Sequence, residues 1–389
     1  MSLDQLPGLI DASLDRYLTK DKKVGMTNEL CRLSYAFADL MARNPLTYDG
    51  GPTLKFDALV KGGTAGGFVA PMTVRDPKLT QHTVRGELDW SFYEKHITVE
   101  ETEQALNGGD TKIFDVYQTR MEAMTTEGAN ELEATWLDPI GNIDHVGDEA
   151  PVFPGLKQFI TRDGLAIDGS ASKFGISTTT YPRWLNRYIG PLGGNLNKDF
   201  DHDTAQTITS GNDLVTAVEK MFRFTGFKAP KGAQMAKDDS ARDLRKTQKI
   251  YCDEIGYSSL QKLQKGLGHG DDQIRPAELM RDAPTIFQIA VDFIEDLGLG
   301  SGGIPTEAAH ASRGSTTITA ADYANTGEIY FLNTAYWWIC FQEGWNPKRK
   351  PTAFLPLQQC LWTLFRWILT PFCKSLSRQG VIWGFSPVI

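Results

Sequence analysis

The sequence predicts an α+β fold, and three observations carry that prediction. One helical period runs unbroken from Asp110 to Leu137, glycine-punctuated strand patterns fill Tyr48 to Glu100, and aromatic-rich strand patterns run from Gly327 to the end. In the first, Ile113, Tyr117, Met121, Met124, Gly128, Leu132 and Trp136 recur at steps of three or four, which places them on one stripe of a helix. Asn107, Gly108 and Gly109 break what precedes it, Asp110 is placed to cap its first turn, and Asp138 with Pro139 ends it. At 1.5 Å per residue such a helix is roughly 40 Å long, more than one compact domain needs for its own core.

Size and composition bound the rest. A chain of 389 residues, 41% hydrophobic and 23% charged, holds a large core and more readily two or three domains than one. The first residues are acidic and lack the positive start and apolar run of a secretion signal, and no apolar stretch reaches the ~18 residues of a membrane span. The expectation is a soluble cytoplasmic product. Five scattered cysteines (Cys31, Cys252, Cys340, Cys360, Cys373) show no C-x-x-C spacing, so they read as buried thiols, not as a disulfide framework or a zinc site. A net charge of −8 argues against a protein whose main task is gripping phosphates.

From the start of the chain, Leu9, Ile10, Leu14, Tyr17 and Leu18, then Leu30, Leu33, Phe37, Leu40 and Met41, mark two short amphipathic helices on a polar joint. Neither makes a core alone, so both pack on the rest of the chain or on another subunit. From Tyr48 to Glu100 His82, Val84, Leu88, Trp90 and Phe92 alternate with polar residues before Ile97 and Val99 shift the phase, which reads as a bulge. Two strand stretches meeting across Pro71 to Pro77 make a long hairpin that is poorly stable by itself. It is either a surface hairpin on its own domain or a lever reaching a neighbouring molecule.

After the long helix, Pro151 to Asn186 is loop-rich with short strands. Ser210 to Phe222 reads as a helix with Leu214, Val218 and Met221 on one face and Gly226 to stop it. Ala241 to Tyr257 and Pro284 to Leu297 also read as helices, the second through Ile286, Ile289, Ala290, Phe293 and Ile294. Gly298 to Gly303 opens a loop. The tail runs from Gly327 through one apolar strand, Glu328 to Phe341, to Gly380–Phe385, and these aromatic-rich strands belong in a buried sheet that returns beneath the long helix.

Several stretches, in this order, resemble the major capsid proteins of tailed bacteriophages, the Hong-Kong-phage-type fold. They are the Asn107-Gly108-Gly109 break before the helix ending at Trp136, Gly155-Leu156-Lys157, Phe174-Gly175-Ile176-Ser177, Tyr181-Pro182-Arg183-Trp184, Tyr330-Phe331-Leu332-Asn333-Thr334 after Gly327, and Arg378-Gln379-Gly380-Val381. The resemblance implies an N-terminal arm over 1–47, an extended hairpin loop over 48–99, and a peripheral domain with a spine helix over 100–150. It also implies an axial domain over 151–325 and a return to the peripheral sheet over 326–389. In that family the hairpin and the arm reach neighbouring subunits. On the hairpin, Lys61, Arg75, Lys78 and Arg85, with Trp90 beside them, become candidates for contact with Glu122, Glu127, Glu131 and Glu133 on the helix of the next subunit. A solvated charged surface is the alternative reading of each.

The implied function is a virion shell protein that assembles with itself as pentamers and hexamers around double-stranded DNA in the host cytoplasm, with no catalysis, cofactor or membrane. The short stretch before the hairpin points to a separate scaffolding protein; a portal and decoration proteins are further expected partners. Some members seal subunits through a Lys–Asn bond; Lys61 and Asn333 exist here, but nothing in the sequence places them together. The rival is a soluble α/β enzyme using the Gly298 to Gly303 loop, although that loop follows a helical pattern, the reverse of the order phosphate binding needs. Asp201-His202-Asp203 and His269-Gly270-Asp271-Asp272 are weak metal motifs. A third option uses Tyr336, Trp337, Trp338 and Phe341 to stack bases, but their strand context favours core packing.

Overall fold

The computed structural model describes residues 36–43, 45–59, 83–100, 110–137, 153–161, 172–190, 211–226, 247–267, 285–286, 289–294, 297, 327–355 and 360–385. In chain order the elements begin with α1 (Ala36–Arg43), β1 (Pro45–Tyr48), β2 (Thr53–Leu59), β3 (Thr83–Asp89), β4 (Ser91–Glu100), α2 (Asp110–Leu137) and α3 (Leu156–Phe159). Next come β5 (Ser172–Lys173), β6 (Ile176–Ser177), β7 (Arg187–Ile189), α4 (Gly211–Thr225), β8 (Gln248–Cys252), α5 (Glu254–Leu267), β9 (Thr285–Ile286) and β10 (Ile289–Phe293). The last are β11 (Gly327–Asn333), β12 (Trp337–Gln342), β13 (Lys348–Arg349), β14 (Ala353–Leu355), β15 (Cys360–Cys373) and β16 (Gly380–Phe385). The chain divides into two units, one of Met1–Pro52, Trp90–Thr135 and Ile339–Thr370, the other of Thr53–Asp89, Trp136–Trp338 and Pro371–Ile389.

In the first unit, α2 begins and ends where its period predicts. Its stripe buries Met121 and Met124 against Ile97 and Val99 of β4 and Leu361 and Phe365 of β15. A buried side chain of this size contributes roughly 1.5–3 kcal/mol. Thr125, Thr126 and Thr135, poor helix formers by propensity, each donate the hydroxyl to the carbonyl four residues back. The sheet is organised on β15: β4 pairs antiparallel along it from Cys360↔Glu100 to Leu369↔Ser91, and β1 pairs parallel with β12. Arg366, the one charge in the apolar run of β15, reaches Glu94 of β4. A strand of this kind, not a membrane segment, is what Cys360–Cys373 forms, and no helix among the described residues is long and apolar enough to cross a membrane.

In the second unit, six strands run in the order β7-β16-β11-β8-β10-β9. Leu214, Val218 and Met221 of α4 join Ile250, Ile329, Phe331 and Ile382 in its core. Every residue of β11 is buried, as expected of an interior strand with both faces covered. Trp136 and Trp337 meet edge to face at 6.2 Å, and Trp337 and Phe159 at 5.0 Å. Tyr336, Trp337 and Phe341 are buried, which assigns that aromatic cluster to packing.

Three expectations need correction. The helix predicted over Ala241 to Tyr257 is instead strand β8 followed by α5, whose first turn Asp253 caps through Gly256 N at 2.7 Å. Pro284 to Leu297 holds β9 and β10, not a helix: Ile289 and Val291 are buried around exposed Ala290, so a period of two prevails once β8 supplies the partner. Residues 327–342 form two strands of two different sheets, parted by a 3-10 turn at Thr334–Tyr336. Within 326–389, β11 and β16 pair in the second unit's sheet.

The ribbon of β2 and β3 ends at Asp89, and the predicted phase shift falls between Trp90 and Ser91. Val84, Gly86, Leu88 and Trp90 turn inward before it, Ser91, Ile97 and Val99 after it. The strand leaves one sheet and joins another there, so no bulge is needed. Phe92, read as inward, is 57% exposed for the same reason.

Candidate assembly surfaces

Within the ribbon, the register sets Leu54 opposite Leu88, Phe56 opposite Gly86 and Ala58 opposite Val84, all on one face. The other face carries Lys55 paired with Glu87 at 3.4 Å and Asp57 with Arg85 at 3.1 Å. Arg85 therefore has a partner on its own hairpin, through an exposed pair of the kind that contributes a few tenths of a kcal/mol to about 1 kcal/mol. Lys61, Arg75 and Lys78 lie outside the described residues.

The inner face of the ribbon lies on its own unit. The Phe56 ring stands 4.7 Å from Phe372 and 5.7 Å from Trp184, and Trp338 stacks on Phe372 at 6.2 Å. A Cβ on Gly86 would come within 2.3 Å of the Phe56 ring, so only glycine fits beneath it. On the ribbon's edge Glu87 N donates to Phe174 O at 3.1 Å. Phe174 (φ 54°) and Gly175 (φ 80°) form the left-handed tip between β5 and β6, where a phenylalanine is strained. Beneath that hairpin, buried Lys173 donates to Phe159 O, Thr161 Oγ1 and Asn186 Oδ1 at 3.3, 2.7 and 2.8 Å.

In the first unit, the helix glutamates differ in what they do. Glu133 is 1% exposed, and its two carboxylate oxygens accept Ala36 N and Phe37 N of α1, each at 2.8 Å. The carboxylate is committed to a helix N-terminus inside its own chain. Glu131 accepts from Lys95 and from the Tyr93 hydroxyl, the latter at 2.9 Å. Burial, then the bond to Glu131, hold the Tyr93 phenol well above its ordinary range. Glu127 stands 3.9 Å from Lys95 with 64% of its side chain exposed, and Glu122 is half-buried. Trp90 is buried edge-on to Tyr48 at 6.5 Å and offers no free surface.

Two further arrangements were not anticipated. Gly128, counted only as a small stripe residue, makes room for the Tyr93 hydroxyl, whose oxygen stands 3.4 Å from its carbonyl while its proton goes to Glu131. In the second unit Gln379 treats Asn333 as a strand partner: its Oε1 accepts Asn333 N at 2.8 Å and its Nε2 donates to Asn333 O at 3.2 Å. Asn333 Nδ2 donates to Thr225 O, so this buried amide ties α4 to β11. A glycine inside a helix and paired amides in two short motifs were the available signals. Cys252, Cys340, Cys360 and Cys373 are buried thiols, as expected. Among the described residues no group of three or more His, Cys, Asp or Glu is placed to hold a metal. The Gly298 to Gly303 loop and both His/Asp motifs lie outside them.

No protein-family model matches the sequence, and no curated protein matches it. Solved structures do. A chain of the cyanophage A-1(L) capsid asymmetric unit superposes with TM-score 0.57 over 96% of this chain and 98% of its own, at 14% identity. A chain from the capsid of an empty GTA particle gives TM-score 0.50 over 96% and 98%, at 10% identity. The chain has the tailed-phage major capsid protein fold, the α+β architecture that the order of sequence motifs implied.

Proposed function

We propose that the chain is a major capsid protein, copies of which assemble as pentamers and hexamers into an icosahedral head shell around double-stranded DNA. The observation that carries this reading is the near end-to-end overlap of its fold with a phage capsid chain. Its role is structural, without catalysis. It would be found in the virion capsid, assembled in the host cytoplasm with a separate scaffolding protein, a portal and decoration proteins as partners. The mechanism is geometric: the same contact between copies, repeated, closes a shell. A net charge of −8 suits a container that holds DNA without adhering to it. The ribbon and α2 are the elements expected to shift when a precursor shell expands.

Expression, size-exclusion chromatography and negative-stain electron microscopy test the reading: rings, tubes or shells are expected, and a stable monomer at high concentration refutes it. Replacing 60–82 by a two-residue turn tests the ribbon as a reach between copies. Leu59 and Thr83 face each other in register, so the stem can close. A folded chain that no longer assembles is expected; unchanged particles refute the reach.

A further inference from the structure

We propose that Phe56 is a positioning residue. Its ring, seated on Gly86 and set against Trp184 and Phe372, fixes the direction in which the ribbon leaves its unit and thereby the geometry of contact with a second copy. The second half of this inference rests on the capsid reading.

A two-stranded ribbon has little stability of its own, so its direction is set by whatever holds its base. Among the described residues its solvent face carries the exposed pairs Lys55–Glu87 and Asp57–Arg85, each made within the ribbon and weakened by salt. The inner face is different. Phe56 sits mid-strand, opposite Gly86, in the one pair of the register where a bare backbone leaves room for the tip of a ring. That ring reaches Trp184, which follows the β5–β6 hairpin, and Phe372, at the end of β15. Trp184 is itself fixed by donating Nε1 to Lys173 O at 3.2 Å. One residue past Gly86, the Glu87 amide bonds Phe174 O, and Phe174 is kept in its left-handed conformation with its ring 4.6 Å from Phe159. The ring clasp and this edge hydrogen bond act at neighbouring points of β3, so together they resist both tilt and roll.

The test compares wild type with Gly86→Ala, whose methyl would displace the ring, with Phe56→Leu, and with Arg85→Ala on the solvent face as control. Amide exchange at Glu87 is followed in the unassembled chain, thermal melting confirms folding, and particle diameters are measured by electron microscopy. Gly86→Ala is expected to speed Glu87 exchange tenfold or more, leave a cooperative melt, and shift particle diameter or yield open sheets; Phe56→Leu is expected to act in the same direction, and Arg85→Ala to match wild type. If Gly86→Ala does not fold, Phe56→Leu decides alone. Unchanged exchange overturns the clasp. Faster exchange with shells of wild-type diameter overturns the positioning role while leaving the capsid reading intact. A wild-type chain that forms no particles removes the capsid reading and the contact role with it.

Discussion

The hydroxyl of Tyr93 on β4 lies 3.1 Å from where a Cβ on Gly128 would stand, so the one glycine in the body of α2 is the seat of a residue from the sheet beneath it. The tyrosine anchors its oxygen on Glu131 of the same helix at 2.9 Å. A local defect in helix propensity is thereby traded for a specific crossing of helix on strand.

Gly128→Ala adds about 0.5–1 kcal/mol of helix propensity but crowds the Tyr93 hydroxyl, which must give way and weaken its bond to Glu131, a bond that contributes about 1 kcal/mol or more. The net expected effect is a small loss. In a Tyr93→Phe background, where the oxygen is gone, the same substitution is expected to stabilise. Urea melts of the four variants check this: additive effects within about 0.3 kcal/mol would refute the coupling.

Glu133→Ala leaves two amides of α1 without their acceptor inside the first unit. A loss of about 2–4 kcal/mol is expected, with Glu133→Gln losing less because one oxygen still accepts. Hydrogen exchange at Ala36 and Phe37 reads the site directly; unchanged protection in Glu133→Ala would refute its capping role.

Gln379→Ala removes the side chain that pairs with both backbone groups of Asn333 in a fully buried setting. About 2–3 kcal/mol is the expected cost, because neither group gains water in exchange. Gln379→Glu is expected to lose more than half of that, since a carboxylate accepts from Asn333 N but repels Asn333 O. Chemical denaturation measures both, and a cost below about 0.5 kcal/mol for Gln379→Ala would refute the pairing.

Alkaline pH is expected to destabilise the chain. Burial pushes the thiols of Cys340 and Cys373 up to about 12, that of Cys252 is raised as well, and Tyr93 is raised among the phenols. Each of these groups is neutral when protonated and keeps its proton longer when folded. The unfolded chain therefore holds fewer protons above about pH 8.5, and stability falls as pH rises from there. Melts between about pH 8 and pH 11 should show a loss of several kcal/mol, and at about pH 8 a thiol reagent should label Cys252, Cys340 and Cys373 only on unfolding. A flat profile to about pH 11 would refute the burial of these groups.

What the sequence determined alone is what closes on itself locally. The bounds of α2, the Met121 and Met124 part of its stripe and the helix of Leu214, Val218 and Met221 follow from spacing, because a helix finds its hydrogen-bond partners four residues away. The motif order was enough to name the architecture. The tertiary structure decided the rest, because a strand finds its partners far along the chain. Ile329 pairs with Cys252 and with Ile382, and only that company makes strands of Gln248–Cys252 and Ile289–Phe293, which read as helices in isolation. The same reason splits 327–342 between two sheets, turns Phe92 outward after Trp90, and joins Glu133 to Ala36 across the sequence. Residue types set what each segment can do; distant segments competing for the same hydrogen bonds and the same buried faces decided what each one does.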